Sequence, residues 1–176
     1  MDVIFKSIWI MNAFFLHAAF SLTTESSAIN CSVGVPCCIQ HNTYQLYLEQ
    51  DVINYVNQTD VFTSRDNKNK RSHWMIDLAS TSESQYKIIN SVNYFELAVD
   101  KFDENQSKVI ARVSDINDDT NSSLWTLQVL PSIIYVKNEF TKQYLYAPNN
   151  GTKNQVFTRM LPEDHQDLFK WHPIHC

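Results

Sequence analysis

Tyr86-Lys87-Ile88-Ile89-Asn90, Tyr94-Phe95-Glu96-Leu97-Ala98-Val99, Lys108-Val109-Ile110-Ala111 and the passage ending on Trp125 make four short runs, parted by Asn, Asp, Ser and Lys. β-Branched and aromatic side chains suit a pleated, half-buried surface, and polar clusters of this kind bound strands. The order recurs downstream as Ile134-Tyr135-Val136-Lys137-Asn138, Tyr144-Leu145-Tyr146-Ala147, Gln155-Val156-Phe157-Thr158 and Trp171. Upstream it recurs less regularly, as Tyr44-Gln45-Leu46-Tyr47-Leu48, Ile53-Asn54-Tyr55-Val56, Asp60-Val61-Phe62-Thr63 and Trp74. The valine of each third run precedes its tryptophan by 13, 16 and 15 residues, and the tryptophans stand 51 and 46 residues apart. Polar stretches at 65–72, 114–123 and 162–167 fill the gaps. No segment after residue 30 sustains the three-to-four-residue apolar period of a helix.

Three copies of a four-stranded unit describe an all-β fold, the β-trefoil, with repeats at about 43–79, 80–130 and 131–176. Six strands would close a short barrel and three hairpins would cap one end, which removes exposed sheet edges. A β-sandwich is the alternative, but it does not call for a repeat of about 48 residues. A tryptophan recurring once per copy is expected in the core, where it buries a large area, with Ile76 and Leu127 beside it at strand spacing.

The runs at 86–99 and 108–127, and again from Ile134 to Trp171, resemble repeats of MIR-type and ricin-B-type β-trefoils. There is also a general similarity to secreted cysteine- and tryptophan-containing trefoil proteins of arthropod saliva. Ricin-B-type lectins carry a Gln two residues before each repeat's tryptophan, whereas this chain has Ser72, Ser123 and Phe169. The resemblance implies the fold and a sugar-binding loop in each repeat, built from an acidic or amide group with an aromatic ring. The matching candidates are Asp51 with Tyr55, Asp100 with Tyr94, and Asn149 with Tyr146. A carboxylate or amide can hold two vicinal hydroxyls while a ring stacks on the sugar's apolar face.

The first residues carry a different signal. Lys6 precedes an apolar run at 8–20, broken only by Asn12 and His17, and Ala19-Phe20-Ser21 supplies the small residues of a cleavage site. The run falls short of the about 20 apolar residues of a membrane span, so 1–21 reads as a secretory signal peptide and 22–42 as a cysteine-containing segment. Cys31, Cys37, Cys38 and Cys176 lie at the two ends of the remaining chain, and an even count in a secreted protein implies two disulfides in one of three connectivities. Bonding the neighbours Cys37 and Cys38 would strain a small ring, so Cys176 is expected to join one of the N-terminal cysteines. Closing a loop of about 138 residues stabilises by roughly 4–5 kcal/mol in the chain-entropy model. His172 and His175 beside Cys176 fit no common zinc spacing. Asn30, Asn57, Asn105, Asn121 and Asn150 each open an N-x-Ser/Thr sequon and are expected on surface loops as glycosylation sites.

The 176 residues suit a single domain, and 44% hydrophobic content suffices for a core. With only two glycines, left-handed turn positions are expected at Asn and Asp. A formal charge of −5 argues against nucleic acid and anionic membranes as partners. The one basic cluster, Lys68-Asn69-Lys70-Arg71, reads as a solvated hairpin tip rather than a sulfated-glycan or processing site. Gly-rich phosphate loops, Gly-x-Ser-x-Gly and His-Glu-x-x-His are absent, and His165, His172 and His175 follow no nucleophile pattern. The expectation is a secreted, monomeric, non-enzymatic binding protein without cofactor or metal, recognising a glycan or glycoprotein. Its alternative is a protein-directed effector, such as a protease inhibitor or a cytokine-like ligand.

Overall fold

The strand-forming runs become twelve strands in the computed structural model, which describes residues 31–52, 57–79, 84–114 and 120–176. In chain order they are β1 (Cys37–His41), β2 (Tyr47–Gln50), β3 (Gln58–Ser64), β4 (His73–Leu78), β5 (Tyr86–Asn90), β6 (Glu96–Val99), β7 (Ser107–Arg112), β8 (Trp125–Val129), β9 (Ile134–Asn138), β10 (Tyr144–Tyr146), β11 (Phe157–Arg159) and β12 (Trp171–Ile174). Two 3-10 turns, Lys70–Ser72 and Gln166–Phe169, supply the helical content of the described residues. The expected leader at 1–21, the Asn30 sequon and the run at 53–56 with Tyr55 lie outside the described residues.

Antiparallel pairing closes the sheet. β1 pairs β4, β4 pairs β5, β5 pairs β8, β8 pairs β9, β9 pairs β12, and β12 returns to β1 through Cys38↔Ile174 to His41↔Trp171. The remaining strands form hairpins β2–β3, β6–β7 and β10–β11, joined to one another through β3–β7, β7–β11 and a bridge between Phe62 and Gln155. This ring is not the two-sheet stack of a sandwich.

The interior explains the closure. Ile39, Leu48, Val61, Trp74, Ile88, Leu97, Val109, Trp125, Val136, Leu145, Val156 and Trp171 share one apolar cluster and are fully buried. Burying an aromatic area of 150–250 Å² contributes roughly 4–6 kcal/mol per tryptophan before entropy is charged against it. Each indole also has its N–H satisfied: Trp74 donates to the Leu48 carbonyl at 2.8 Å, Trp125 to Leu97 at 2.8 Å, and Trp171 to Leu145 at 3.1 Å. The leucines lead into a hairpin and the tryptophans stand near the start of a barrel strand. These bonds therefore lock hairpin to barrel.

Two expectations need correcting. The first strand lies ahead of residue 43, inside the cysteine-containing segment set apart from the trefoil repeats, because Cys37, Cys38 and Ile39 are buried apolar side chains that pack like any strand. The run 44–48 instead divides between a turn and β2. Left-handed backbone is not reserved for Asn and Asp: Gln45, Tyr94, Lys142, Lys153 and His165 adopt it, with Asn121 the one asparagine among the described residues. At Gln45, Tyr94 and Lys142 the backbone is determined from both sides. Their N–H groups donate to the carbonyls of His41, Asn90 and Asn138, and the N–H groups of those three residues donate to the carbonyls of Leu46, Phe95 and Gln143.

His41 occupies the turn position filled by Asn90 and Asn138 elsewhere. Its Nδ1 accepts from the Tyr44 N–H at 3.1 Å, which requires the neutral ring. The ring stacks on Tyr44 and meets Trp171 edge-on, with centroids at 4.5 and 5.1 Å. Burial pushes its pKa below the ordinary 6.5, opposed only in part by the Leu168 carbonyl and the Asp167 carboxylate. The Cys38–Cys176 disulfide, with Cα atoms 5.1 Å apart, ties β1 to the C-terminus across a separation of 138 residues.

Replacing Trp125 with Phe strands the buried Leu97 carbonyl and is expected to cost about 1–3 kcal/mol in urea unfolding, with Trp74→Phe and Trp171→Phe in the same range. His41 gives a pH dependence of definite sign. Its folded-state pKa is depressed, so its contribution is complete above about 6.5 and is lost as pH falls below that value toward the folded pKa. His41→Asn should flatten that part of the stability profile.

Candidate functional site

The five candidate ligand residues that are described, Asp51, Tyr94, Asp100, Tyr146 and Asn149, part company in the structure. Tyr94 and Asp100 lie beyond opposite ends of β6, Tyr94 at the β5–β6 turn and Asp100 at the β6–β7 turn, so they do not form one site. Tyr146 is buried in a second apolar cluster and packs on Phe169 at 5.1 Å between centroids. Asn149 spends its side-chain oxygen locally, accepting from the Gly151 N–H at 2.8 Å and from Asn154 Nδ2 at 2.5 Å. A Cβ on Gly151 would lie 2.1 Å from Asn154 Nδ2, so a larger residue there must displace the Asn154 side chain.

Asp51 and the Asn149 turn nevertheless converge. The turn is stitched to β3 by Thr63, whose Oγ1 donates to the Gly151 carbonyl at 2.9 Å and whose carbonyl accepts the Lys153 N–H at 2.6 Å. This brings Lys153 beside Asp51. Two adjoining hollows of about 340 and 390 Å³ share Asp51, Phe62 and Lys153. Asp60 and Gln155 floor the first, while Glu49, Arg65, Asp66 and Asn69 line the second. Lys108 pairs with Asp60 at 2.6 Å, whereas the exposed Arg65 and Lys153 make no ion pair among the described residues. The cleft therefore presents the Arg65 and Lys153 cations and the Asp51 carboxylate, whose Oδ1 accepts the Val52 N–H at 2.7 Å, with the mostly buried Phe62 in its lining.

Its wall is rigid because of a glutamate that the sequence reading passed over. Glu49 is 3% exposed and accepts from Arg71 at 3.1 Å, Asn69 Nδ2 at 3.1 Å and Ser72 Oγ at 3.2 Å. The basic cluster is thus not a solvated tip throughout. Asn69 caps the 3-10 turn by accepting the Arg71 N–H at 3.1 Å, and Arg71 folds back onto Glu49. The signal was present: Glu49 follows Leu48 where Ala98 follows Leu97 and Tyr146 follows Leu145, so one charge interrupts an otherwise apolar position.

Among the described residues, metal chemistry has one geometric candidate. Ligand atoms of Cys38, His73 and Cys176 lie within 4.8 Å of one another, but both sulfurs are consumed by the disulfide. The four sequon asparagines among the described residues, Asn57, Asn105, Asn121 and Asn150, are all exposed. Asn150 belongs to the turn that walls the cleft, since its sequon partner Thr152 lines it.

No family model and no curated protein matches this chain. Solved structures do. A designed three-fold symmetric protein, ThreeFoil, aligns with a TM-score of 0.69 at 12% identity, over 80% of this chain and 99% of that one. A ricin B-like lectin from Macrolepiota procera, solved with lactose, aligns at 0.66 and 10% identity, over 82% and 98%. A salivary protein from Culex quinquefasciatus, of the Cysteine and Tryptophan-Rich family, aligns at 0.65 and 15% identity, over 84% and 99%. The fold is a β-trefoil. Within that trefoil the cleft falls where hairpin β2–β3 meets the β10–β11 connection, on loops held by a rigid scaffold.

Removing the wall should be separable from altering the rim. Glu49→Ala leaves the Arg71 guanidinium and the Asn69 amide without this acceptor, while Ser72 keeps the Asp66 carbonyl at 3.0 Å, and is expected to cost about 2–4 kcal/mol. Asp51→Asn, on the exposed rim, should stay within about 0.5 kcal/mol of the parent. Urea unfolding of both variants checks the difference.

Proposed function

We propose that the chain is a secreted, non-enzymatic binding protein that recognises a glycan or glycoprotein through the cleft at Asp51, Phe62 and Lys153. In this reading the twelve strands are three four-strand units about a pseudo-threefold axis. Supporting it, β1–β4, β5–β8 and β9–β12 each carry the same indole-to-leucine bond at sequence separations of 26, 28 and 26. The observation that carries the functional reading is the convergence of Asp51 and Lys153 on one polar cleft. A carboxylate accepts from vicinal hydroxyls, an ammonium donates to ring and hydroxyl oxygens, and an aromatic edge packs on the C–H face of a sugar. The Macrolepiota lectin binds lactose on the same scaffold, which supports the ligand class without transferring its residues. A disulfide between Cys38 and Cys176 and a salivary structural neighbour support an extracellular setting. Among the described residues no helix is long and apolar enough to cross a membrane.

A protein-directed role is the second reading, favoured by Tyr94, an aromatic 69% exposed at a hairpin tip away from the cleft. Glycan-array binding by the purified glycoprotein separates the two. The cleft reading predicts a signal that falls about tenfold or more in Asp51→Asn and Lys153→Ala and is unchanged in Tyr94→Ala. Asn150→Gln, which removes any self-glycan from the cleft wall, should retain or strengthen it. Silence from both the parent and Asn150→Gln across all glycan classes would contradict the reading.

A further inference from the structure

Cys31 and Cys37 are both buried and unbonded, in a chain whose other two cysteines are already joined. They pack with Ile76 in a small apolar cluster against Tyr86 and Leu127, apart from the main core. The Cys31 sulfur approaches the Ile174 carbonyl at 3.7 Å. The intervening chain is already folded into a strap. Val35 donates to the Ser32 carbonyl at 3.0 Å, Gly34 donates to Ile76 at 3.3 Å, and Gly34 takes the left-handed conformation at φ 75.

Strand geometry assigns the partners. Neighbouring side chains in β1 leave opposite faces. Cys38 therefore points toward Cys176 and the Asn67 carbonyl, while Cys37 faces the Cys31 strap. We propose that Cys31 and Cys37 form a second disulfide, which staples the strap over a cavity of about 100 Å³ lined by Val33, Ile76, Tyr86, Leu127 and Val129. Both cysteines sit in the same small cluster, and bonding brings the sulfurs to about 2.05 Å.

The reaction requires a donor disulfide, supplied by glutathione disulfide or an oxidised thiol–disulfide oxidoreductase. One thiolate attacks the donor, breaking its S–S bond and forming a mixed disulfide. The second cysteine loses its proton and attacks the protein sulfur, expelling the remaining donor thiolate. Two protons leave the protein and two electrons reduce the donor to two thiols. The pairing of the two thiols lowers the pKa of Cys31, while the same pairing and burial push that of Cys37 up, which favours Cys31 as the first nucleophile.

The test is maleimide labelling of the protein secreted from a eukaryotic host, unfolded in denaturant without reductant and read by mass spectrometry. The parent should take up no label. Cys31→Ser should take up one, mapped to Cys37, with Cys38–Cys176 intact. Two labels on the parent, at Cys31 and Cys37, would overturn the proposal, as would label on Cys38 or Cys176 in Cys31→Ser. Where Cys31→Ser is not secreted, the Cys38→Ala, Cys176→Ala double variant replaces it: no label supports the bond, and two labels refute it.

Discussion

The molecule depends on one buried hydrogen bond made three times, indole N–H to leucine carbonyl, from Trp74, Trp125 and Trp171. A tryptophan brings more apolar area than any other side chain, but it also brings a donor that cannot be left unpaired in a dry interior. Placing that donor on the carbonyl of Leu48, Leu97 or Leu145 resolves the conflict. It also fixes the distance between a barrel strand and the hairpin that caps it. Once these three distances are set, the antiparallel ring can close and Cys38 meets Cys176 across the seam.

Much of this was legible from residue types. The runs at 86–90, 94–99, 108–111 and 134–138 read as strands because of their β-branched and aromatic residues, and β5, β6, β7 and β9 form on them. Tryptophans at near-even spacing pointed to the core, where all three are fully buried. What stayed hidden has physical causes. Cys37 and Cys38 were weighed for their sulfur chemistry, and their packing role in β1 was missed. The left-handed turns at Gln45, Tyr94 and Lys142 follow from closed backbone hydrogen-bond cycles, which no residue type advertises.

The candidate site was less legible than the fold because it depends on which loops meet, and loop contacts carry no period. Asp51 was found as an acidic residue after a strand, and it does line the cleft. Its aromatic and cationic neighbours, Phe62 and Lys153, come from β3 and from a connection about a hundred residues away in sequence. Tyr146 and Asn149 were lost to packing and to a turn, respectively. The copies have also diverged: a buried Glu49 with Arg71 on it stands where Ala98 and Tyr146 stand elsewhere.

Native-state hydrogen exchange of the three indole protons tests the central claim most directly. If the bonds to Leu48, Leu97 and Leu145 join hairpin to barrel, all three protons should exchange only through global unfolding, with one common free energy. An indole that exchanges by local opening, well below that value, would show that its hairpin is not locked to the barrel.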